Sequence, residues 1–158
     1  MKSVSISTIA RRALISCMAA LAITVDLAQT SLAEEGMTST KEVLDRHLMS
    51  FGNHDLEGIL ADYAPDILLL SPPVFFSPHG ISKGKAGARQ VFQTIFADFA
   101  KPGTSFTMKQ VTIEGDYAYI VWSAETADHI YEPASDTFVI RDGKIVAQTF
   151  AGKITAKQ

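Results

Sequence analysis

The first regular pattern of apolar residues along the chain predicts an amphipathic helix. Four residues have the i, i+3, i+4, i+7 spacing of one helix face: the apolar residues Leu44, Leu48 and Phe51, and with them His47. Ser39, followed three residues later by Glu42, is a capping-box signal for the helix start, and Gly52 marks its end. The helix therefore carries a titratable side chain, His47, on the face predicted to point into a core.

Two further helices and one strand are predicted in the next part of the chain. Asp55 can cap a second helix, which we expect to end before Pro65 and whose apolar face is Leu56, Ile59, Leu60 and Tyr63. The continuous apolar run 67–70 predicts a buried strand. The longest helix is predicted over residues 85–100.

From residue 105 onward the pattern is that of β-strands, over 105–113, 117–126, 135–141 and 144–154. Asp142-Gly143 is a strong hairpin signal between the last two strands. Pro133 predicts that residues 130–134 form an edge or irregular segment. The order α-α-β-α-β-β-β-β predicts an α+β domain in which three helices pack on one side of a curved antiparallel sheet.

An apolar loop lies between the first strand and the long helix. Val74, Phe75 and Phe76 stand between prolines, where a surface loop is normally polar. Two interpretations remain open: the loop folds over a bound apolar molecule as a lid, with Phe75 lining the pocket, or it packs on the sheet.

The N-terminal 33 residues differ in kind from the rest and predict a cleavable secretory signal. Lys2, Arg11 and Arg12 precede an apolar run, and Ala33 closes a small-residue cleavage pattern. The run is shorter than the roughly 20 apolar residues of a membrane-spanning helix. We therefore expect one periplasmic or secreted domain over 34–158, or a cytoplasmic protein if Met37 is the true start.

Composition narrows the possible partners of that domain. Residues 34–158 contain 11 basic and 16 acidic residues, a net charge of −5. An acidic surface makes nucleic acid and anionic membranes unfavourable partners. Cys17, the chain's single cysteine, lies in the predicted leader, so the mature domain has neither a disulfide nor thiol chemistry.

Asp136 is the second polar side chain that the pattern places on an apolar face. Strand alternation puts it on one side with Phe138 and Ile140. A carboxyl group in apolar surroundings has a raised pKa and can act as a proton donor or as a poised base. His47 and Asp136 are thus the candidate catalytic pair, with a structural hydrogen bond or a dimer contact as the alternatives.

Other chemistries find less support in the sequence. His129 is a second candidate acid–base group, and Trp122 lies on an apolar strand face where it could line a pocket or simply be core. The histidines show no HxH or HExxH spacing and there is no cysteine pair, so we expect no metal site. No glycine-rich phosphate-binding motif is present, so we expect no nucleotide cofactor.

The element order, together with the segments HDLEGILADYAPD and SDTFVIRDGKIVAQTF, resembles the SnoaL-like, nuclear-transport-factor-2-like superfamily over nearly all of the mature chain. The resemblance implies a cone-shaped domain with an apolar pocket between sheet and helices. Residues 46–72 align without gaps to the start of bacterial ketosteroid isomerases. By position, His47 replaces their oxyanion-hole tyrosine and Asp136 their protonated aspartic acid, while Tyr63 and Phe138 correspond to pocket aromatics.

The resemblance also shows a departure at Ser71. Ketosteroid isomerases carry their general-base aspartate just before a proline at the end of the first strand, and here Ser71 precedes Pro72. A serine cannot shuttle that proton, so steroid isomerisation by the usual scheme is disfavoured. Ser71 is still expected to line the pocket.

These observations lead to two functional hypotheses. The first is a cofactor-independent isomerase, cyclase or lyase that moves a proton on a small, largely apolar molecule, with His47 and Asp136 as the acid–base pair. The second is a non-catalytic ligand-binding or protein-interaction module of the same fold. In both cases we expect a homodimer formed through the sheet.

Overall fold

The computed structural model describes residues 38–73, 77 and 79–158. The predicted leader and the predicted lid residue Phe75 lie outside this part of the chain. The residues Thr38–Gln158 form one unit, in which three helices and a six-stranded sheet surround a shared hydrophobic core.

The first two helices begin where their caps predict. Helix α1 spans Thr40–Gly52, and its capping box is complete: the Ser39 side chain accepts from the Glu42 amide while the Glu42 carboxylate accepts from the Ser39 amide. Helix α2 spans Leu56–Asp62 and begins at the Asp55 cap. Tyr63 already has extended backbone geometry and belongs to the next strand, so its predicted helical position is wrong. Pro65 explains why the helix ends here, because its preceding residue, Ala64, avoids helical geometry and a helix usually ends at or before such a residue.

Helix α3 spans Gly84–Phe99 and is the longest. One face is buried along its length, as the predicted periodicity requires, through Ala88, Val91, Phe92, Phe96 and Phe99. This face and that of α1 pack toward the same side of the sheet, which places the core between helices and sheet.

The strands are β1 Tyr63–Leu70, β2 Ile81–Lys83, β3 Ser105–Glu114, β4 Tyr117–Glu125, β5 His129–Arg141 and β6 Lys144–Ala156. Their spatial order is β2-β1-β6-β5-β4-β3. The sheet is mixed and not wholly antiparallel, because β1 pairs in parallel with β6. Strand β2 is antiparallel to β1, and α3 returns the chain so that β3 runs in the same direction as β2. Each of the three hairpins that follow reverses the direction of the chain. Strand β6 therefore runs antiparallel to β2 and parallel to β1. The short strand β2 was not predicted.

Strand β5 continues through Pro133 and pairs on both sides, so the segment before Ser135 is not an edge. The predicted irregularity is present as a bulge: the register with both neighbours shifts between Tyr131 and Ala134. A bulge suits proline, which cannot donate to the ladder. It also puts Tyr131 on the buried face together with Ala134 and Asp136.

Among the described residues, no helix combines the length and apolar character needed to cross a membrane.

Candidate functional site

A cavity lies between the inner face of the sheet and helices α1 and α3. It contains about 760 Å³ of empty space, including the part that is open to solvent. Aromatic rings form much of its wall, among them Phe51, Phe92, Phe99, Phe106, Trp122 and Phe138. The cavity therefore favours a flat or largely apolar occupant.

Asp136 is the charged group in this wall with the most complete hydrogen-bond support. The Trp122 indole Nε1–H donates to its Oδ2 at 2.7 Å, and Gln148 Nε2–H donates to its Oδ1 at 2.9 Å. The Tyr63 hydroxyl donates to Gln148 Oε1 and so orients the amide. Burial raises the pKa of Asp136 to about 6, although both hydrogen bonds act in the opposite direction. Asp136 is therefore mainly a carboxylate at pH 7.

His47 lies in the same wall, and its pKa shifts down where that of Asp136 shifts up. Its side chain is 2% exposed and its ring is surrounded by Tyr63 at 5.2 Å, Phe138 at 5.5 Å and Phe92 at 6.1 Å between centroids. Burial and, to a smaller extent, the nearby Arg46 charge lower the pKa of His47 to about 3. The imidazole is therefore neutral at physiological pH, whereas the sequence suggested a group that titrates near neutrality.

A carboxylate that the sequence analysis did not single out lies beside His47. Asp62, at the end of α2, is 1% exposed and its Oδ1 accepts from Arg46 Nε at 2.5 Å. Its Oδ2 is 3.8 Å from His47 Nδ1, and neither of these two buried atoms has a hydrogen-bond partner. Burial raises the pKa of Asp62, and the hydrogen bond and charge of Arg46 oppose the shift. The carboxylate that faces His47 directly is thus Asp62, while the Asp136 carboxylate is bonded by Trp122 and Gln148.

The remaining predicted site residues fall into three groups. Ser71, Trp122 and Phe138 line the cavity. Tyr63 does not line it and reaches it only through its bond to Gln148. Phe75 lies outside the described residues.

His129 also requires a correction, because it does not line this cavity. Its Nδ1 is 3.1 Å from Oδ2 of Asp98 on α3, and the same oxygen accepts from the hydroxyls of Thr126 and Tyr131. These hydrogen bonds hold the pKa of Asp98 below its ordinary value, against the effect of burial. His129 thus belongs to a polar cluster that ties α3 to the sheet.

Four polar residues of the site were missed: Asp62, Ser82, Tyr131 and Gln148. A signal existed for Asp62, which is three residues after Ile59 and therefore on the buried side of α2. No sequence signal placed Gln148. Among the described residues, no group of three or more His, Cys, Asp or Glu side chains is arranged to hold a metal ion.

The fold and the cavity agree with the family comparison. The model of the SnoaL-like domain family matches residues 44–148, well over half of the chain. The protein belongs to this family. Among proteins of curated function, none matches this chain.

Solved structures with the same fold share little sequence with this chain. An NTF2-like protein of unknown function from Mesorhizobium loti is 25% identical, with a TM-score of 0.60 over 72% of this chain and 90% of its own. IdmH from Streptomyces antibioticus, a candidate polyketide cyclase, is 19% identical, with a TM-score of 0.60 over 73% and 93%. An NTF2-like protein from Burkholderia xenovorans is 16% identical, with a TM-score of 0.59 over 75% and 93%. These similarities establish the NTF2-like fold, on which many functions occur.

Proposed function

We propose that the domain binds a small, largely apolar molecule in the cavity and moves a proton on it, with Asp136 as the base. The observation that supports this most is a buried carboxylate in an aromatic wall whose pKa, at about 6, lies close to neutrality. A base is most effective when its pKa is near the pH at which it works. The neighbour described as a candidate polyketide cyclase is compatible with this class of chemistry.

The chemistry needs no cofactor. An Asp136 oxygen takes a proton from an acidic C–H or O–H bond of the ligand, and the electron pair of that bond stays on the ligand. The protonated Asp136 then returns the proton at another ligand atom, which is an isomerisation, or the electron pair expels a leaving group and Asp136 passes the proton to that group, which is a lyase reaction. The neutral His47 imidazole contributes a hydrogen bond to the bound molecule.

Ser71 explains why Asp136 has to be the base. Ser71 lines the cavity at the end of β1, where ketosteroid isomerases resemble this chain but carry their general-base aspartate. A serine hydroxyl does not accept a proton at neutral pH. The carboxylate that remains in the wall with a suitable proton affinity is Asp136.

A probe that requires only a base in an apolar cavity tests this proposal. 5-Nitrobenzisoxazole opens when a base removes its C–H proton and the N–O bond breaks, which gives a coloured phenolate. We expect the wild-type protein to accelerate this reaction and Asp136→Asn to lose at least 100-fold in rate, within the usual range for removal of a general base. Asp66→Asn, which changes an exposed aspartate on β1, is the control and should retain the wild-type rate. Equal rates for wild type and Asp136→Asn would contradict the proposal.

A non-catalytic ligand-binding module is the second candidate, and the serine at position 71 favours it. In that case the cavity holds its ligand and the Asp136 network is only a structural clamp. Binding of a neutral aromatic molecule without any ring opening of the probe, in both wild type and Asp136→Asn, would establish this alternative.

We also propose that residues 1–33 direct export and that the mature domain works in the periplasm or outside the cell. The charged, apolar and small-residue regions of this segment support the proposal. N-terminal sequencing of the protein from a periplasmic fraction should begin near Glu34. An intact N-terminus in the cytoplasmic fraction would contradict it.

A further inference from the structure

The indole and phenol donors near Asp136 are already in use. Trp122 Nε1–H and Gln148 Nε2–H both donate to the Asp136 carboxylate. The hydroxyl of Tyr131, which also lines the cavity, donates to Asp98 Oδ2 at 2.8 Å. Ser71 and Ser82, at the β1–β2 end, supply the other hydroxyls of the wall. A ligand at the Asp136 end therefore meets the free lone pairs of a carboxylate and no spare donor from Trp122 or Tyr131, while Gln148 keeps one further N–H.

The surroundings of His47 determine which of its ring nitrogens carries the proton. Asp62 Oδ2 faces Nδ1 at 3.8 Å, and both atoms are buried without another partner. A carboxylate oxygen accepts hydrogen bonds and cannot donate while ionised. Arg46 bonds to the other oxygen of Asp62 and so favours its charged form. The proton of the neutral ring is thus best placed on Nδ1, which leaves a lone pair on Nε2.

We propose that the Asp136 carboxylate and His47 Nε2 form a pair of hydrogen-bond acceptors in the cavity wall, which selects flat molecules that bring their own hydrogen-bond donors, such as phenols and enols. Asp62 is the positioning residue of this site, because it fixes the His47 tautomer without touching the ligand. The inference rests on the proposed function for the place of binding. It reverses the arrangement that the resemblance to ketosteroid isomerases implies, in which these two positions donate to a carbonyl oxygen.

The selection follows from the pairing of buried polar groups. A hydroxyl group placed between Asp136 and His47 Nε2 donates to a lone pair that would otherwise lack a partner in an apolar wall. A ketone or ether oxygen in the same place only accepts hydrogen bonds. Its lone pairs would face those of Asp136 and His47, and none of these acceptors would gain a donor. Sites built to bond a hydroxyl group reject analogues that lack it far more strongly than apolar pockets distinguish sizes.

A matched pair of ligands tests the selection. We expect 2-naphthol to bind the purified protein at least 10-fold more tightly than 2-methoxynaphthalene in isothermal titration calorimetry, since the two differ by one donor. Equal affinities, or tighter binding of the methyl ether, would overturn the proposal.

The His47 tautomer tests it without any ligand or turnover, so its result is independent of the proposed function. In ¹⁵N NMR of the wild-type protein at neutral pH, His47 should show a protonated Nδ1 and an unprotonated Nε2. Asp62→Asn should shift population toward the Nε2–H tautomer and reduce the 2-naphthol preference at least threefold. Asp45→Asn, an exposed change on the helix that carries His47, should alter neither the tautomer nor the 2-naphthol preference. An Nε2–H tautomer in the wild type would overturn the proposal whether or not the protein binds naphthol or opens the benzisoxazole.

Discussion

At the scale of residues, burial drives the two central side chains in opposite directions because it penalises the charged form of each. His47 loses its proton and Asp136 tends to keep one, so the pKa values move to about 3 and about 6. Two such groups in one wall give a neutral imidazole and a mainly ionised carboxylate at pH 7. This division is the basis of the proposed chemistry.

The lowered pKa of His47 makes the fold sensitive to acid. The pKa of His47 is ordinarily 6.5 and is about 3 in the folded protein. Below pH 6.5 the unfolded chain therefore binds a proton that the folded state does not bind. Stability from this source is complete above pH 6.5 and falls by up to about 1.4 kcal/mol per pH unit toward pH 3. We expect His47→Gln to remove about 2 kcal/mol of the stability difference between pH 7 and pH 5, measured by urea unfolding.

The control for this prediction is His79→Gln, which changes an exposed histidine. It should leave the pH dependence of unfolding as in the wild type. A His47→Gln protein that loses as much stability between pH 7 and pH 5 as the wild type does would refute the assigned burial of a neutral imidazole.

At the scale of elements, bulges explain which site residues the sequence could and could not reveal. The alternation in β5 correctly put Asp136 on a buried face with Phe138 and Ile140. The two-residue Asp142-Gly143 turn, continued in strict register, would set Phe138 opposite Ala147 and turn Gln148 outward. A register shift between Val139 and Ile140 instead sets Phe138 opposite Gln148, which brings the amide to Asp136. Such a shift leaves no periodic signal, so Gln148 could not be predicted.

The capping box of α1 should contribute to stability without affecting the site. Ser39→Ala removes the side-chain acceptor of the Glu42 amide and should lower the free energy of unfolding by about 1 kcal/mol. Glu42→Gln keeps a side chain able to accept from the Ser39 amide and should cost less. Thermal unfolding of the three proteins checks this order, and a Ser39→Ala protein as stable as the wild type would contradict it.

At the scale of the whole molecule, helices occupy one side of the sheet and the outer face presents few charges. Around Thr137 in the middle of β5, the cross-strand neighbours on this face are Tyr119 and Thr149. The positions beside them are also uncharged: Val121, Ser135, Val139 and Ala147. An uncharged sheet face suits a self-complementary twofold contact.

We therefore expect the protein to be a homodimer through this face. Thr137→Lys would place a charge from each copy near the middle of the contact and should convert the dimer to a monomer in sedimentation velocity. Thr94→Lys, on the exposed side of α3, should leave the dimer intact. A monomeric wild type would contradict the expected assembly.

The general architecture could be predicted because it follows from local patterns: helical faces, caps and strand alternation. The parallel pairing of β1 with β6 and the meeting of α1 and α2 at His47 and Asp62 depend on how distant elements assemble. The sequence identified His47 and Asp136 individually. Their separate partners became visible only in the assembled fold.

The pH dependence of the ring opening of 5-nitrobenzisoxazole is the most direct test of Asp136 as a cavity base. The reactive form is the carboxylate, so kcat/KM for the wild type should rise with pH to a plateau, with a midpoint near the Asp136 pKa of about 6. Asp136→Asn should show only a low rate without that midpoint. A wild-type profile that lacks a midpoint near pH 6, or one that survives in Asp136→Asn, would contradict the account.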